Sequence, residues 1–327
     1  MDNSLNNANV LITGATGFIG RNLVAHILKT VPTCRIIAVA HSGEKAKKLF
    51  HANDRLAFIE ADVNKPVTVD REIDYIIHAA SITSSKSFVD EPVDTILTST
   101  NGTMNMLELA RQKRVKGFVF LSSMEVYGAP ATDDSISEDK TECNIDTMQK
   151  RSSYPESKRL CEALCCAYCA QYDIPAKVVR LTQTIGQGIE YNDGRVFAEF
   201  ARCAIENRDI VLHTKGLTRR SYISVNDAVK AIITVMLHGQ NGTAYNAANE
   251  STYCSIAEMA HLVADDICKG SIRVIVKEEA ADKFGYAPEL RMNLGTGRLQ
   301  ALGWQPGDSL KDMYVQLISS MKNNRGI

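Results

Sequence analysis

Tyr154-Pro155-Glu156-Ser157-Lys158 sets a tyrosine and a lysine four residues apart, so that on a helix both project from one face. A phenol is a poor base near neutral pH, its ordinary pKa being about 10. A neighbouring ammonium favours the phenolate. The phenolate can then take a hydroxyl proton while hydride leaves the same carbon. A surface Tyr-Lys pair has the same spacing, so the pair needs a second motif. Thr13-Gly14-Ala15-Thr16-Gly17-Phe18-Ile19-Gly20 follows the apolar run Val10-Leu11-Ile12 directly. A buried strand thus feeds a glycine-rich turn and a helix over about 18–28, the layout that holds a dinucleotide pyrophosphate. Gly14 permits the tight turn, Gly17 the approach of phosphate to backbone, and Gly20 close packing of helix on strand, with free N–H groups facing the anion. The spacing is Gly-x2-Gly-x2-Gly, not the commoner Gly-x-Gly-x2-Gly.

Alternating segments position these groups. Strands are expected at 10–12, 35–40, 56–60, 75–78, 117–122 and 176–181, and helices at 18–28, 44–50, 93–113 and 154–172. Such alternation predicts an α/β fold, a doubly wound parallel Rossmann sheet with ligands at the strand C-terminal ends. Residues 1–181 form this domain, with 222–240 returning to it. The stretch 129–150 is polar and aperiodic and is expected to loop over the site. After residue 181 the pattern turns irregular. A helix at 195–206, a strand at 210–213 and helices at 226–237, 255–269 and 309–321 are expected, and 182–327 reads mainly as a smaller α/β substrate lobe.

The composition is that of a soluble globular protein, 45% hydrophobic and 23% charged. A net charge of −1 shows no basic excess for nucleic acid. No apolar stretch approaches the roughly 20 residues that span a membrane. The polar start, 1–9, does not read as an export signal, and nine cysteines then suit a reducing cytoplasm. Cys161, Cys165, Cys166 and Cys169 crowd one expected helix. With no histidine near in sequence they read as a packed face, and no metal site is expected.

These motifs together resemble the extended short-chain dehydrogenase/reductase superfamily, in its NAD-dependent nucleotide-sugar epimerase, dehydratase and decarboxylase branch. The resemblance spans nearly the whole chain. Val119-Phe120-Leu121-Ser122-Ser123 is similar to the strand carrying the family's catalytic Ser/Thr, which falls on Ser123. His78-Ala79-Ala80 matches the segment lining the cofactor, and Asp62-Val63 the adenine contact. Gly14, Thr16, Gly17, Phe18, Ile19, Gly20, His41, Asp62, Val63, Ala79, Ala80, Tyr154 and Lys158 are the cofactor residues the resemblance implies. Arg180 to Gln183 matches an Arg-x-x-Asn stretch, Arg220-Ser221-Tyr222 a phosphate-contacting Arg, Asp227 a structural Asp, and Leu302-Gly303-Trp304-Gln305-Pro306 a C-terminal Leu-Gly-Trp-x-Pro. Ser81, Ser84, Gln183, Arg195, Arg220 and Arg291 are the implied substrate residues. A homodimer joined through helices 93–113 and 154–172 as a four-helix bundle is implied as well.

The shared family chemistry begins with oxidation at a sugar carbon, usually C4, with Tyr154 as base, Lys158 on the cofactor ribose and Ser123 on the reacting oxygen. Epimerases return hydride to the other face, dehydratases eliminate water, and decarboxylases lose carbon dioxide from C5. Dehydratases carry Asp-Glu after the catalytic Ser/Thr, whereas this chain has Met124-Glu125, and Met transfers no proton. Arg151-Ser152-Ser153-Tyr154 and Asp193-Gly194-Arg195-Val196 resemble UDP-glucuronate decarboxylase segments. Gln183 in place of Asn departs from the family, as does His213-Thr214-Lys215-Gly216 in place of Gly-Asp-Gly. Decarboxylation or an atypical elimination, 4-epimerisation, an NADP-linked carbonyl reduction and a non-catalytic dinucleotide-binding regulator all stay open. NAD is the expected cofactor, but the second strand ends Ala40-His41-Ser42 with Lys45, Lys47 and Lys48 beyond, so no acid marks the ribose and NADP is not excluded.

Overall fold

The computed structural model describes residues 3–140, 142–278 and 289–325. Strand β1 (Asn9–Thr13) runs into the glycine turn and helix α1 (Phe18–Thr30). Then come β2 (Arg35–Ala40), α2 (Gly43–Leu49), β3 (Leu56–Glu60) and β4 (Tyr75–His78). A single turn, α3 (Ser87–Asp90), leads into the long α4 (Pro92–Lys113). Strand β5 (Gly117–Ser123), helix α5 (Ser153–Tyr172) and β6 (Ala176–Leu181) complete the alternation.

The chain then crosses into the second lobe through β7 (Gln183–Ile185), α6 (Val196–Glu206), β8 (Ile210–Leu212) and β9 (Arg219–Ser224). Helix α7 (Val225–His238) and β10 (Ala244–Ala247) return to the first lobe. The remainder is β11 (Asn249–Ser255), α8 (Ile256–His261), β12 (Val274–Val276), β13 (Arg291–Met292), α9 (Gly297–Ala301) and α10 (Leu310–Arg325). The segment expected as one helix over 255–269 is divided: α8 passes into a wider π-form turn at Leu262–Ile267.

Among the described residues the main sheet has seven strands in the order β10-β6-β5-β4-β1-β2-β3, paired in parallel throughout. The order reverses beside β1, which opens a crevice between the C-terminal ends of β1 and β4. A parallel sheet must be covered on both faces, because its strands are apolar on both. Leu23, Val24 and Ile27 of α1 pack with Val229, Ile232 and Val235 of α7 on one face. Met106, Leu107 and Ala110 of α4 pack with Cys161 and Cys165 of α5 on the other. The cysteine face of α5 is therefore core. Strands β11, β9, β13 and β7 form a second, smaller sheet, and β8 pairs β12. The short β7 and β13 and the polar β11 carry no apolar alternation in sequence and are held by pairing to β9.

Asp227 staples the C-terminal segment to α7. Its carboxylate accepts the N–H groups of Gly307 and Asp308 at 2.9 and 3.0 Å, and the Trp304 indole donates to its carbonyl at 3.1 Å.

The glycine turn admits no side chain where helix meets strand. A Cβ on Gly14, which has φ +62°, would lie 2.8 Å from the Ala80 nitrogen, and one on Gly20 would collide with the Gly14 carbonyl oxygen. Gly20→Ala should therefore lower stability by more than about 2 kcal/mol and weaken dinucleotide binding. Chemical denaturation and a cofactor titration on the same sample would check both.

Candidate active site

Thr13 ends β1 with its hydroxyl inside the crevice. That oxygen accepts the N–H groups of Ala79 and Ala80, both at 3.1 Å, and lies 2.7 Å from His78 Nδ1. Two incoming donors leave the Thr13 hydroxyl hydrogen for Nδ1. Fully buried between Phe118 and Phe120, His78 is held neutral, its pKa pushed down to about 3 by desolvation and then by the Lys158 charge. It is a packed part of the cofactor wall. Gly17 caps α1 without any side-chain bond, so the first amides of the helix are unclaimed by side chains and present a cradle for an anion. Asp62 turns back on its own chain, accepting the Asn64 N–H at 2.9 Å, and Val63 lies against Gly102. His41 is exposed just past β2. This wall fits a dinucleotide on its own geometry, with glycines where a Cβ would intrude and a helix start free of capping side chains.

Tyr154 and Lys158 lie on the first turns of α5, and Ser123 ends β5 beside them. Lys158 is 3% exposed. Its ammonium donates to the Leu121 carbonyl at 2.8 Å and sits 4.7 Å from the Phe120 ring centroid. Burial pushes its pKa down to about 8, so it stays mostly cationic near neutral pH. The Ser123 hydroxyl stands close to the Tyr154 hydroxyl. The phenol pKa is raised, first by burial and then by the Glu125 charge, while the Ser123 hydroxyl and the Arg151 charge pull it down. The expected lowering by Lys158 is not the ruling effect here. Lys158 lies 5.7 Å from the Tyr154 ring centroid, with its strong bond directed at Leu121.

Glu125 sits on the one-turn 3-10 segment Met124–Tyr127, whose start is capped by Ser123 accepting the Glu125 N–H at 3.2 Å. Arg151 grips its carboxylate with both ends of the guanidinium fork, at 2.9 and 3.0 Å. The same guanidinium lies 5.2 Å from the Phe88 ring centroid, and Phe88 stacks flat on Tyr154 at 4.2 Å. Met124 is buried and touches Thr182. Arg180 holds this turn from behind. It forms a bidentate pair with the largely buried Glu162, which also accepts the Ser122 hydroxyl at 2.6 Å, and it donates to the Tyr127 hydroxyl at 2.7 Å. Sequence reasoning missed Phe88, which carries no local signal. Arg151 was noticed only through resemblance, although its place one turn before Tyr154 puts it at the same helix end.

The substrate-side residues divide. Arg220 takes part in no ion pair among the described residues, and its Nε is buried without a hydrogen-bond partner. Gln183 lies on β7, paired in register with Tyr222. Ser81 bonds the Ile82 carbonyl and Ser99, and Ser84 is exposed. Arg195 and Arg291, the other arginines expected on the substrate, are paired within the chain: Asp193 takes both ends of the Arg195 fork, and Asp133 binds Arg291. Among the described residues no cluster of His, Cys, Asp or Glu could hold a metal.

The profile of the NAD dependent epimerase/dehydratase family matches residues 10–248. UDP-glucuronic acid decarboxylase 6 of Arabidopsis thaliana is 31% identical over 312 residues, covering 94% of this chain and 86% of that protein. UDP-glucuronic acid decarboxylase 1 of Xenopus tropicalis is 29% identical over 300 residues, 91% of this chain and 68% of that protein. The crystal structure of UDP-glucose 4-epimerase from Thermotoga maritima with UDP-glucose matches with a TM-score of 0.82 at 20% identity, covering 97% of this chain and 99% of that one. That of dTDP-glucose 4,6-dehydratase from Bacillus anthracis in complex with NAD matches with 0.80 at 20% identity, covering 98% of each. At such identity these structures establish the fold alone.

Arg151 opposes the Glu125 charge at the Tyr154 hydroxyl, and that gives the pair a readable effect. If Tyr154 serves as the base, it is competent above its own pKa and turnover falls on the acid side. Arg151→Met removes a cation that lowers the pKa, and the acid limb of kcat should move to higher pH by about one unit, a tenfold loss of turnover below it. A pH profile of the holoenzyme with Arg151→Lys as the conservative control would check this. A limb that stays in place assigns Arg151 a packing role.

Proposed function

The chain belongs to the NAD dependent epimerase/dehydratase family, and from that membership we propose that it decarboxylates a nucleotide-diphosphate uronate. A dinucleotide held at the glycine turn and by Lys158 would supply the reversible hydride acceptor for the sugar C4. Tyr154 takes the C4 hydroxyl proton, Ser123 hydrogen-bonds the reacting oxygen, and Lys158 holds the cofactor ribose and keeps a positive charge near the phenolate. A ketone at C4 lies β to a carboxylate on C5. Such an acid loses carbon dioxide, and the enolate left behind takes a proton at C5. The observation that carries this reading is the pairing of a buried Met124 with a Glu125 held by Arg151 beside Tyr154. Elimination of water needs an acid where Met124 stands, whereas carbon dioxide loss needs none there. The similarity to UDP-glucuronic acid decarboxylases along 91–94% of this chain supports the same outcome. The clamped Glu125 also suits a 4-epimerase, in which it would only position groups.

Arg220 is the residue we assign to the diphosphate. A guanidinium fork matches phosphate oxygens, and this one has no carboxylate partner among the described residues. Gln183 lies at the crossing between the lobes, where its longer amide suits a shifted ligand. Arg195 and Arg291 would have to leave Asp193 and Asp133 to contribute.

The same family reading supports a homodimer. Val93, Leu97 and Met104 recur on one face of α4 and are exposed, as are Leu160 and Tyr172 on α5. These two helices pack on each other, and an identical pair from a second copy would cover the exposed face as a four-helix bundle. A reducing cytoplasm suits the nine cysteines, all of them unpaired. No described helix is long and apolar enough to cross a membrane.

Purified protein incubated with UDP-glucuronate, UDP-glucose, UDP-N-acetylglucosamine, dTDP-glucose and CDP-glucose should release carbon dioxide from the uronate alone, as read by mass spectrometry. An unchanged mass with inverted stereochemistry by NMR would make it an epimerase, and loss of water would overturn the reading of Met124. Arg220→Ala should raise KM for the nucleotide sugar about 10- to 100-fold, the worth of one charge-assisted contact. A carbonyl reductase would keep its KM. In light scattering the wild type should have twice the 36.0 kDa chain mass, and Leu97→Glu with Leu160→Glu should leave a monomer.

A further inference from the structure

The cofactor wall lacks the acid that usually binds the adenosine ribose. That acid stands about 20 residues after the glycine turn, at the end of the second strand, where it accepts hydrogen bonds from the ribose hydroxyls and repels a 2′-phosphate. Here the position is Ala40, small and 3% exposed. The neighbouring strand supplies what β2 omits. In the parallel pair β2–β3, Ala40 is in register with Glu60, the last residue of β3. Residues in register on adjacent strands point to the same face and stand about 5 Å apart. A glutamate side chain spans that gap. It is aimed the right way, since the carboxylate reaches across to the β2–α2 connection. A Cβ on Gly43 would come within 2.8 Å of Glu60 Oε2. Glu60 is exposed and enters none of the salt bridges of the described residues, so its charge faces the solvent side of this corner. The cations beyond β2 do not cancel it: Lys48 is paired with Glu44 one turn away, and Lys45 and Lys47 are exposed on α2.

We propose that Glu60 selects NAD over NADP, its carboxylate taking from β3 the place beside the adenosine ribose that Ala40 leaves open on β2. The proposal rests on the family's use of a dinucleotide at this wall. It assigns the selecting acid to a strand from which the sequence pattern would not take it. Gly43 is part of the device, because any side chain there would displace the carboxylate.

Binding of NAD and of NADP to the full chain, stripped of co-purifying nucleotide, would be measured by titration calorimetry, with no turnover needed. Wild type should favour NAD roughly a hundredfold, as expected for a like charge set against a 2′-phosphate. Glu60→Gln should cut that ratio about tenfold, chiefly by tightening NADP. Glu60→Lys should invert it. Ala40→Asp placed in the Glu60→Gln chain should restore the preference, since the acid then stands on β2. Lys45→Ala should leave the ratio unchanged. A ratio that Glu60→Gln does not move overturns the proposal, as does a wild type that prefers NADP. Failure of the wild type to bind either dinucleotide sinks the cofactor reading itself, and is told apart by the absence of any binding heat.

Discussion

The contact between the backbones of Gly14 and Ala79–Ala80 is the constraint from which the rest follows. It brings the end of β1 against the end of β4, and it leaves room for no Cβ. The Thr13 hydroxyl closes the joint by accepting two N–H groups and donating to His78. The bond to His78 is fully buried and the other two are partly so, so breaking the first strands a group away from water. The joint therefore fixes three things together: the glycine turn and the start of α1, the neutral tautomer of His78, and the width of the crevice. The Phe118 and Phe120 rings that hold His78 belong to β5, and Phe120 also lies under Lys158. The cofactor wall and the Tyr-Lys pair are thus positioned by one packed cluster.

Charge is managed in two tiers around that cluster. Behind it, the Glu162–Arg180 pair is largely buried, and each member has further partners in Ser122 and Tyr127. That satisfies the condition under which a buried ion pair is tolerated. Its role is geometric: it pins the turn that carries Glu125. In front, the Glu125–Arg151 pair is partly exposed and its charges reach Tyr154 with opposite sign. Phe88, flat on the phenol and under the guanidinium, keeps the three groups in one stack. A single carboxylate there would hold the phenol protonated. The paired carboxylate keeps its shape with much of its field cancelled.

What the sequence disclosed and what it hid separate along a physical line. The strand–turn–helix of the glycine motif, the alternation to Leu181 and the Tyr-Lys spacing are local, set by residues within one or two turns of each other, and they are legible. Strands β7 and β13 are too short to show a period, β11 is longer but polar and interrupted by a register shift, and all three exist because β9 offers them partners. Phe88 is brought to Tyr154 from a different helix, and nothing around it in the chain announces the stack. Glu60 is invisible for a related reason. Its relation to Ala40 is a matter of register between strands, and register appears only once the sheet is assembled.

The arginines of the second lobe show the same rule at the level of single residues. Arg219 and Arg220 are adjacent in sequence and indistinguishable by composition. Strand alternation sends them to opposite faces of β9. Arg219 meets Glu258 and Tyr253, while Arg291, in register beside it, meets Asp133, and that aspartate lies near both. The charges on that face cancel one another. Arg220 faces away from this network and enters no ion pair among the described residues, none of which satisfies its buried Nε. A guanidinium desolvated on one edge and left unpaired costs stability unless an anion completes it. The lobe retains that cost at the one arginine on the opposite face and removes it at its neighbours. That contrast supports the proposal that Arg220, and not Arg219 or Arg291, meets the diphosphate.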